Sequence, residues 1–126
     1  MIVPLEAPGV PPIGALSHGA RAGAVVALTG QVAVGAAPGL GAREQAEIVW
    51  DRIEEILRAA GAGFDDVVKI TTYIVDRADR TDVAGVRNAR FAERPLPAST
   101  LVVVAGLAEP DWRVEIDVLA VLDRDG

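Results

Sequence analysis

The stretch "WRVEIDVLAVL", residues 112–122, poses the folding problem of the chain. Its apolar, β-branched run reads as a strand. Side chains alternate across a strand, so Val114, Ile116 and Val118 share one face, and Glu115, Asp117 and Leu119 the other. "VVAL" (25–28), "LVVVA" (101–105) and "VLAVL" (118–122) are apolar at consecutive positions. Strands of that kind imply a sheet covered on both faces. Glu115 and Asp117 would then point toward a covered face, where burial raises a carboxyl pKa and suits it to proton transfer. The structural alternative is that both lie near a strand end or pair with an arginine such as Arg113.

Working outward, residues 6–23 are punctuated by Pro and Gly and read as loop, with at most a short strand near 16–20. Residues 24–34 read as a strand and 35–41 as a flexible loop. A helix is expected over 42–61, with Ala46, Val49, Ile53, Ile56, Leu57 and Ala60 in one stripe and Gly61 ending it. A strand follows over about 67–75. A weaker helix spans 77–93, with Asp79 or Thr81 as N-caps and Gly85 in its middle. The fourth and fifth strands are 99–107 and 112–122. The order is β-β-α-β-α-β-β. The strand–helix–strand unit predicts a right-handed parallel crossover in a mixed sheet. Two helices cover only one face, so an oligomer is the economical cover for the other.

The chain has 126 residues, 51% of them hydrophobic, a net charge of −6 and no cysteine. These numbers describe one domain, residues 1–126, with a real core. Cysteine chemistry and disulfides are excluded. The basic residues do not cluster along the sequence, so no nucleic-acid footprint is expected. No signal peptide is read at the N-terminus, and no apolar run reaches bilayer length. A cytoplasmic protein without membrane contact is expected.

His18 is the only histidine, so sites built on several His or Cys are impossible. No metal or cofactor is expected. Ser17 and Ser99 are the only serines, and no nucleophile elbow or phosphate-binding glycine loop occurs. His18 reads as a loop histidine, Tyr73 as a core residue with its hydroxyl satisfied, and Trp50 and Trp112 as packing or interface residues.

"ALSHGARAG" (15–23), "VALTGQVAV" (26–34), "ILRAAGAGFDDVVKITTYIVD" (56–76), "PASTLVVVAGLAEP" (97–110) and "VEIDVLAVL" (114–122) occur together in this order. Over essentially the whole chain they resemble the Rid/YjgF family of reactive-intermediate deaminases. The resemblance implies an α+β, chorismate-mutase-like fold: a mixed sheet backed by two helices. It implies a homotrimer around a central sheet barrel, with small-molecule clefts between subunits. It also implies hydrolysis of enamines and imines, such as 2-aminoacrylate, to 2-oxo acids and ammonia. By resemblance, Glu115 orients the attacking water, and Thr29 and Gly30 line the same cleft. An endoribonuclease activity is also attached to the family by name, and the acidic balance argues against it.

The departures define the expectation. The deaminase branch has an arginine where this chain has Ser99, Tyr at Leu16, Asn at Ala84 and often Cys at Leu101. Each change makes the cleft less polar, and a small acid loses its counter-charge. The expectation is a hydrolase for an enamine or imine larger and less acidic than 2-aminoacrylate. The alternative is a non-catalytic ligand-binding or regulatory trimer. No arginine is assigned to the cleft by sequence; Arg21, Arg87 and Arg90 are left open as residues that could reach it.

Overall fold

The computed structural model describes residues 1–123; residues 124–126, which the single-domain reading includes, lie outside them. The elements are β1 (Val3–Leu5), β2 (Gly19–Ala22), β3 (Val25–Leu28), α1 (Ala42–Ala59), β4 (Val67–Ile74), α2 (Arg80–Arg90), β5 (Ala98–Val103) and β6 (Val114–Val121). All six strands join one mixed sheet in the order β1-β2-β3-β6-β4-β5. The stretch that opens the sequence reading, now β6, lies inside it, antiparallel to both β3 and β4. β4 and β5 are parallel, with α2 as the crossover, as the strand–helix–strand pattern requires.

Several expected boundaries move. β1 precedes the loop read over 6–23 and has no expectation in the sequence, because three residues containing Pro4 show no period. At the sheet edge a proline is tolerated. The strand expected over 24–34 is shorter. It begins after a turn at Gly23, whose φ of +58° favours glycine. It leaves the ladder after Leu28 and rejoins at Gln31, which bridges Ile116. Between the Ala27–Leu119 pair and this bridge, three residues (28–30) oppose two (117–118), the geometry of a β-bulge. The helix expected over 77–93 is a 3-10 turn, Arg77–Asp79, followed by α2. Asp76 caps the turn, its carboxylate accepting from the Ala78 N–H at 2.9 Å. Asp79 stands at the α2 N-cap without a capping bond, because Arg113 takes its carboxylate at 2.9 Å. Thr81 lies inside the helix.

α1 ends as expected, with Gly61 at φ +76° and the Ala62 N–H donating to the Leu57 carbonyl at 2.8 Å. Its start is held by buried Gln45. The amide donates to the Leu40 and Asp111 carbonyls and accepts from the Arg113 N–H, at 2.9–3.0 Å. The expected stripe is buried, and so is Trp50. Trp50 packs within the core, in keeping with the packing role expected of it: it meets Phe64 and Phe91 with ring centroids 5.7 and 5.4 Å away, both edge-on.

Both helices pack on one sheet face, against Val26, Ile70, Ile74, Val114, Ile116, Val118 and Ala120. The other face is open. By alternation and register it carries Val25 and Ala27 of β3, Lys69, Thr71 and Tyr73 of β4, Thr100 and Val102 of β5, and Glu115, Asp117, Leu119 and Val121 of β6. Val25, Val102 and Val121 are each about 40% exposed there. Continuous apolar runs predict two buried faces; the single chain buries one.

Ile53 has no exposed surface. Ile53→Ala is expected to cost about 2–5 kcal/mol through lost burial and a residual cavity. Urea denaturation at fixed protein concentration measures it, and a change well under about 1 kcal/mol would contradict the packing.

Candidate functional site

The bulge at residues 28–30 places Thr29 and Gly30 against β6. The Thr29 N–H donates to the His18 carbonyl at 2.9 Å, and its Oγ1 donates to the Ser17 carbonyl at 2.8 Å. Buried Gln31 holds the Thr29 carbonyl from the other side, its Nε2 donating at 2.9 Å. Gly30 then lies directly against the Glu115 carboxyl. A β-carbon there would sit 3.0 Å from Glu115 Cδ and collide with Oε2, so only glycine fits without moving the carboxyl. Leu16 precedes Ser17 on the same rim and is exposed. Of these predicted residues, Gly30 touches Glu115, Thr29 precedes Gly30 in the bulge, and Leu16 precedes the Ser17 that holds the Thr29 hydroxyl.

Glu115 is half-buried, and burial first, then the Asp117 charge, pushes its carboxyl above the usual range. Asp117 is also raised by burial, against a hydrogen bond from Tyr73 and the Lys69 charge. Its negative charge in turn raises the Tyr73 hydroxyl. Tyr73 is therefore not a core residue. It lies on the open face opposite Glu115 in the ladder and donates to Asp117. Lys69 Nζ donates to Thr100 Oγ1 at 2.6 Å on the same face. Arg113 pairs with Asp79, so the arginine alternative for these strand carboxylates does not hold.

The remaining predicted residues lie elsewhere. Ser99 pairs in register with buried Ile70, and Leu101 with buried Thr72, so both face the helices. Ala84 of α2 and Leu101 of β5 line one groove of about 500 Å³, together with Arg80, Thr81, Arg87 and Asn88. Glu115 pairs with Tyr73 on the opposite face. The predicted residues thus fall into two groups on opposite sides of the sheet. β5 is an edge strand, so the half with Ser99 and Leu101 is open laterally.

Arg87 belongs to this second half, and the sequence reading assigned no arginine there. Its Nη1 donates to Ser99 Oγ at 3.1 Å. Arg77 and Arg80 border an adjoining groove that shares Thr81 and Leu101. The signal was present at helical spacing, since Arg80, Ala84 and Arg87 fall on one helix face. Alternation of Lys69, Thr71 and Tyr73 would likewise have placed Tyr73 on the polar side.

His18 is outside both halves. Its Nδ1 accepts from the Ala7 N–H at 3.1 Å and its Nε2 lies 3.4 Å from the Pro11 carbonyl, pinning the N-terminal loop. This agrees with a loop role. No helix among the described residues is long and apolar enough to cross a membrane.

A family model described as Endoribonuclease L-PSP matches residues 7–122. The chain belongs to this family, the Rid/YjgF proteins. Among Rid/YjgF relatives, the 2-iminobutanoate/2-iminopropanoate deaminase of Salmonella typhimurium is 32% identical, over 86% of this chain and 88% of that protein. RutC family proteins of Synechocystis and Escherichia coli (YjgH) align over shorter segments, at 38% and 31% identity. The chain spans 59% and 57% of those two proteins, and these alignments cover 62% and 59% of its own length. The structure of E. coli TdcF with bound serine superposes with a TM-score of 0.88 at 28% identity, covering 96% of this chain and 99% of that one. The α+β fold, a six-stranded mixed sheet backed by two helices, is the Rid/YjgF fold.

Carboxyls raised by folding favour the native state at low pH. That contribution is complete below their unfolded pKa values, near 4, and is lost as pH rises through the raised values. Glu115→Gln removes one such group. It is expected to stabilise the protein relative to wild type more at pH 7 than at pH 4, in paired urea titrations. An equal effect at both pH values would mean that Glu115 is not perturbed.

Proposed function

We propose that the protein hydrolyses the carbon–nitrogen bond of an enamine or imine other than 2-aminoacrylate, in clefts between subunits of a homotrimer. The observation that carries this reading is Glu115, its carboxyl raised by burial and set against the bare backbone of Gly30. The Salmonella relative, named as an iminobutanoate and iminopropanoate deaminase, supports the reaction class.

An imine carbon is already electrophilic, so the chemistry needs a placed water and a mobile proton rather than a metal or covalent nucleophile. An enamine first gains a proton at carbon to become the iminium. Water then adds to the iminium carbon, and Glu115 takes the proton that water loses, giving a neutral carbinolamine. The carboxyl returns that proton to nitrogen; the carbon–nitrogen bond breaks, ammonia leaves with the bonding pair, and the hydroxyl passes its proton to the Glu115 carboxylate as it becomes the carbonyl. Thr29 Oγ1 donates to Ser17, so its lone pairs remain to accept from water or substrate. Gly30 leaves space beside the carboxyl. Across a subunit boundary, Leu16 of one copy would face Ala84 and Leu101 of its neighbour as an apolar wall, and the short Ser99 side chain keeps that wall from gripping 2-aminoacrylate as an arginine at 99 would.

The assembly follows from the same surfaces. The bare strip of Val25, Val102, Leu119 and Val121 needs a cover, and the two half-sites need a neighbour. Three copies that close their open faces into a central barrel meet both needs. A non-catalytic ligand-binding trimer is the second reading, favoured by the absence of a guanidinium on residue 99.

Ammonia and carbonyl release should be assayed over a panel of enzymatically generated imines and enamines, with wild type and Glu115→Ala. Wild type is expected to turn over 2-aminoacrylate poorly and at least one bulkier compound well. Glu115→Ala is expected to lose about 100-fold or more in kcat. A panel bound but never hydrolysed supports the second reading, and turnover unaffected by Glu115→Ala removes the proposed residue. Light scattering at micromolar concentration should give three times the chain mass; a clean monomer overturns the assembly.

A further inference from the structure

We infer that Gln31 is a positioning residue for the hydrolytic site: from the helix side of the sheet, its amide clamps the Thr29 carbonyl and so fixes how closely Gly30 lies against the Glu115 carboxyl. The inference rests on the hydrolase reading above and adds to it the group that holds the site in shape.

The geometry of the bulge carries it. Gln31 and Ile116 form the antiparallel bridge that closes the bulge, exchanging backbone hydrogen bonds at 2.8 and 3.1 Å. Directly opposed residues share a face. Ile116 belongs to the core, so the Gln31 side chain lies on the helix side, while Glu115, the next residue along β6, points to the other face. Gln31 is 1% exposed and acts only through its neighbours. Its backbone is tied to β6, and its Nε2 donates to the Thr29 carbonyl at 2.9 Å. Gly30 is the single residue between these two anchors. Holding both therefore holds Gly30, whose lack of a β-carbon makes room for the Glu115 carboxyl.

Stability alone is a weak reason for this amide. Gln31 Oε1 is buried with no hydrogen-bond partner among the described residues, and an acceptor buried unpaired destabilises a fold. A methionine would fill nearly the same volume without that oxygen. The next anchor along the chain differs in kind. Arg52 Nη1 donates to the Val32 carbonyl at 2.8 Å, on the far side of Gln31 from Gly30, so it holds the strand and not the bulge. A displacement of about 1 Å at a reacting group can lose roughly 100-fold in rate, so a tether of small net stability can carry a large catalytic effect. Glu115 reports the same displacement. Burial is the main cause of its raised carboxyl, so lifting Gly30 admits water and lowers it toward the ordinary range. Asp117, Tyr73 and Lys69, the other titratable groups on that face, stay in place when Gln31 is changed from the opposite side.

Gln31→Met, Gln31→Glu and Arg52→Met are compared with wild type, each verified as folded by circular dichroism and melting temperature. The first measurement needs no substrate: a carbon-13 NMR titration of the Glu115 carboxyl, assigned by its loss in Glu115→Gln. Gln31→Met is expected to lower the midpoint by about half a pH unit or more, and Arg52→Met to leave it in place. The second is steady-state kinetics on an imine that wild type hydrolyses. Gln31→Met is expected to lose about 10- to 100-fold in kcat with KM within about threefold, while Arg52→Met keeps kcat within about threefold. Gln31→Glu is nearly isosteric, and only its neutral form can donate to the Thr29 carbonyl. It should keep a larger share of wild-type kcat at about pH 5 than at about pH 8, and it carries the test if Gln31→Met does not fold. An unshifted Glu115 midpoint in Gln31→Met, or an equal shift in Arg52→Met, would overturn the proposal, as would a loss confined to KM. If wild type hydrolyses no imine, the hydrolase reading fails by itself, and the NMR shift still decides whether Gln31 sets the surroundings of Glu115.

Discussion

Two helices can cover one face of a six-stranded sheet, and the described residues hold no third α-helix. The uncovered face combines Val25, Leu119 and Val121, which lose free energy in water, with Glu115, Asp117, Tyr73 and Lys69, which lose it when buried unpaired. The polar members resolve part of that conflict within the face. Tyr73 donates to Asp117, and the charge of Lys69 eases the ionised state of Asp117. Glu115 is left without such relief, since the neighbouring Asp117 charge opposes its ionisation.

The bulge before Gln31 turns this conflict into a site. One residue more on the β3 side than on β6 lifts Thr29 and Gly30 out of the ladder, yet Thr29 stays held, its N–H by His18, its carbonyl by Gln31 and its hydroxyl by Ser17. The loop is therefore held rigidly while the surface beside Glu115 stays free of side chains. On the opposite face, α2 and β5 form a second rigid surface in which Arg87 is oriented by Ser99 and Asn88. Each half is pre-organised by local hydrogen bonds, and neither can reach the other through its own sheet.

Much of this was legible in the residues. The α1 stripe, Gly61 as its terminator, the parallel crossover and the exposure of Glu115 and Asp117 to one face all follow from period and turn chemistry. The resemblance added Thr29 and Gly30 to the cleft with Glu115, and Gly30 lies against the Glu115 carboxyl. Three things were not legible. β1 is too short to show a period. Trp50 turns inward because Phe64 and Phe91 complete an aromatic cluster from distant elements. Arg87 reaches Ser99 only because α2 packs beside β5, a pairing across 12 residues.

Alternation along "WRVEIDVLAVL" by itself determined that Glu115 and Asp117 share a face with Leu119, because a strand has a period of two whatever surrounds it. It also determined that the chain lacks cover for a second sheet face, since the number of helices is readable from periodicity. Only the tertiary structure decided which carboxylate is relieved and which is not, because that depends on Tyr73 and Lys69 across the ladder. Only it decided where the positive charge near position 99 comes from. Sequence spacing ranks residues along a line, whereas a guanidinium and a hydroxyl meet through the packing of one element on another.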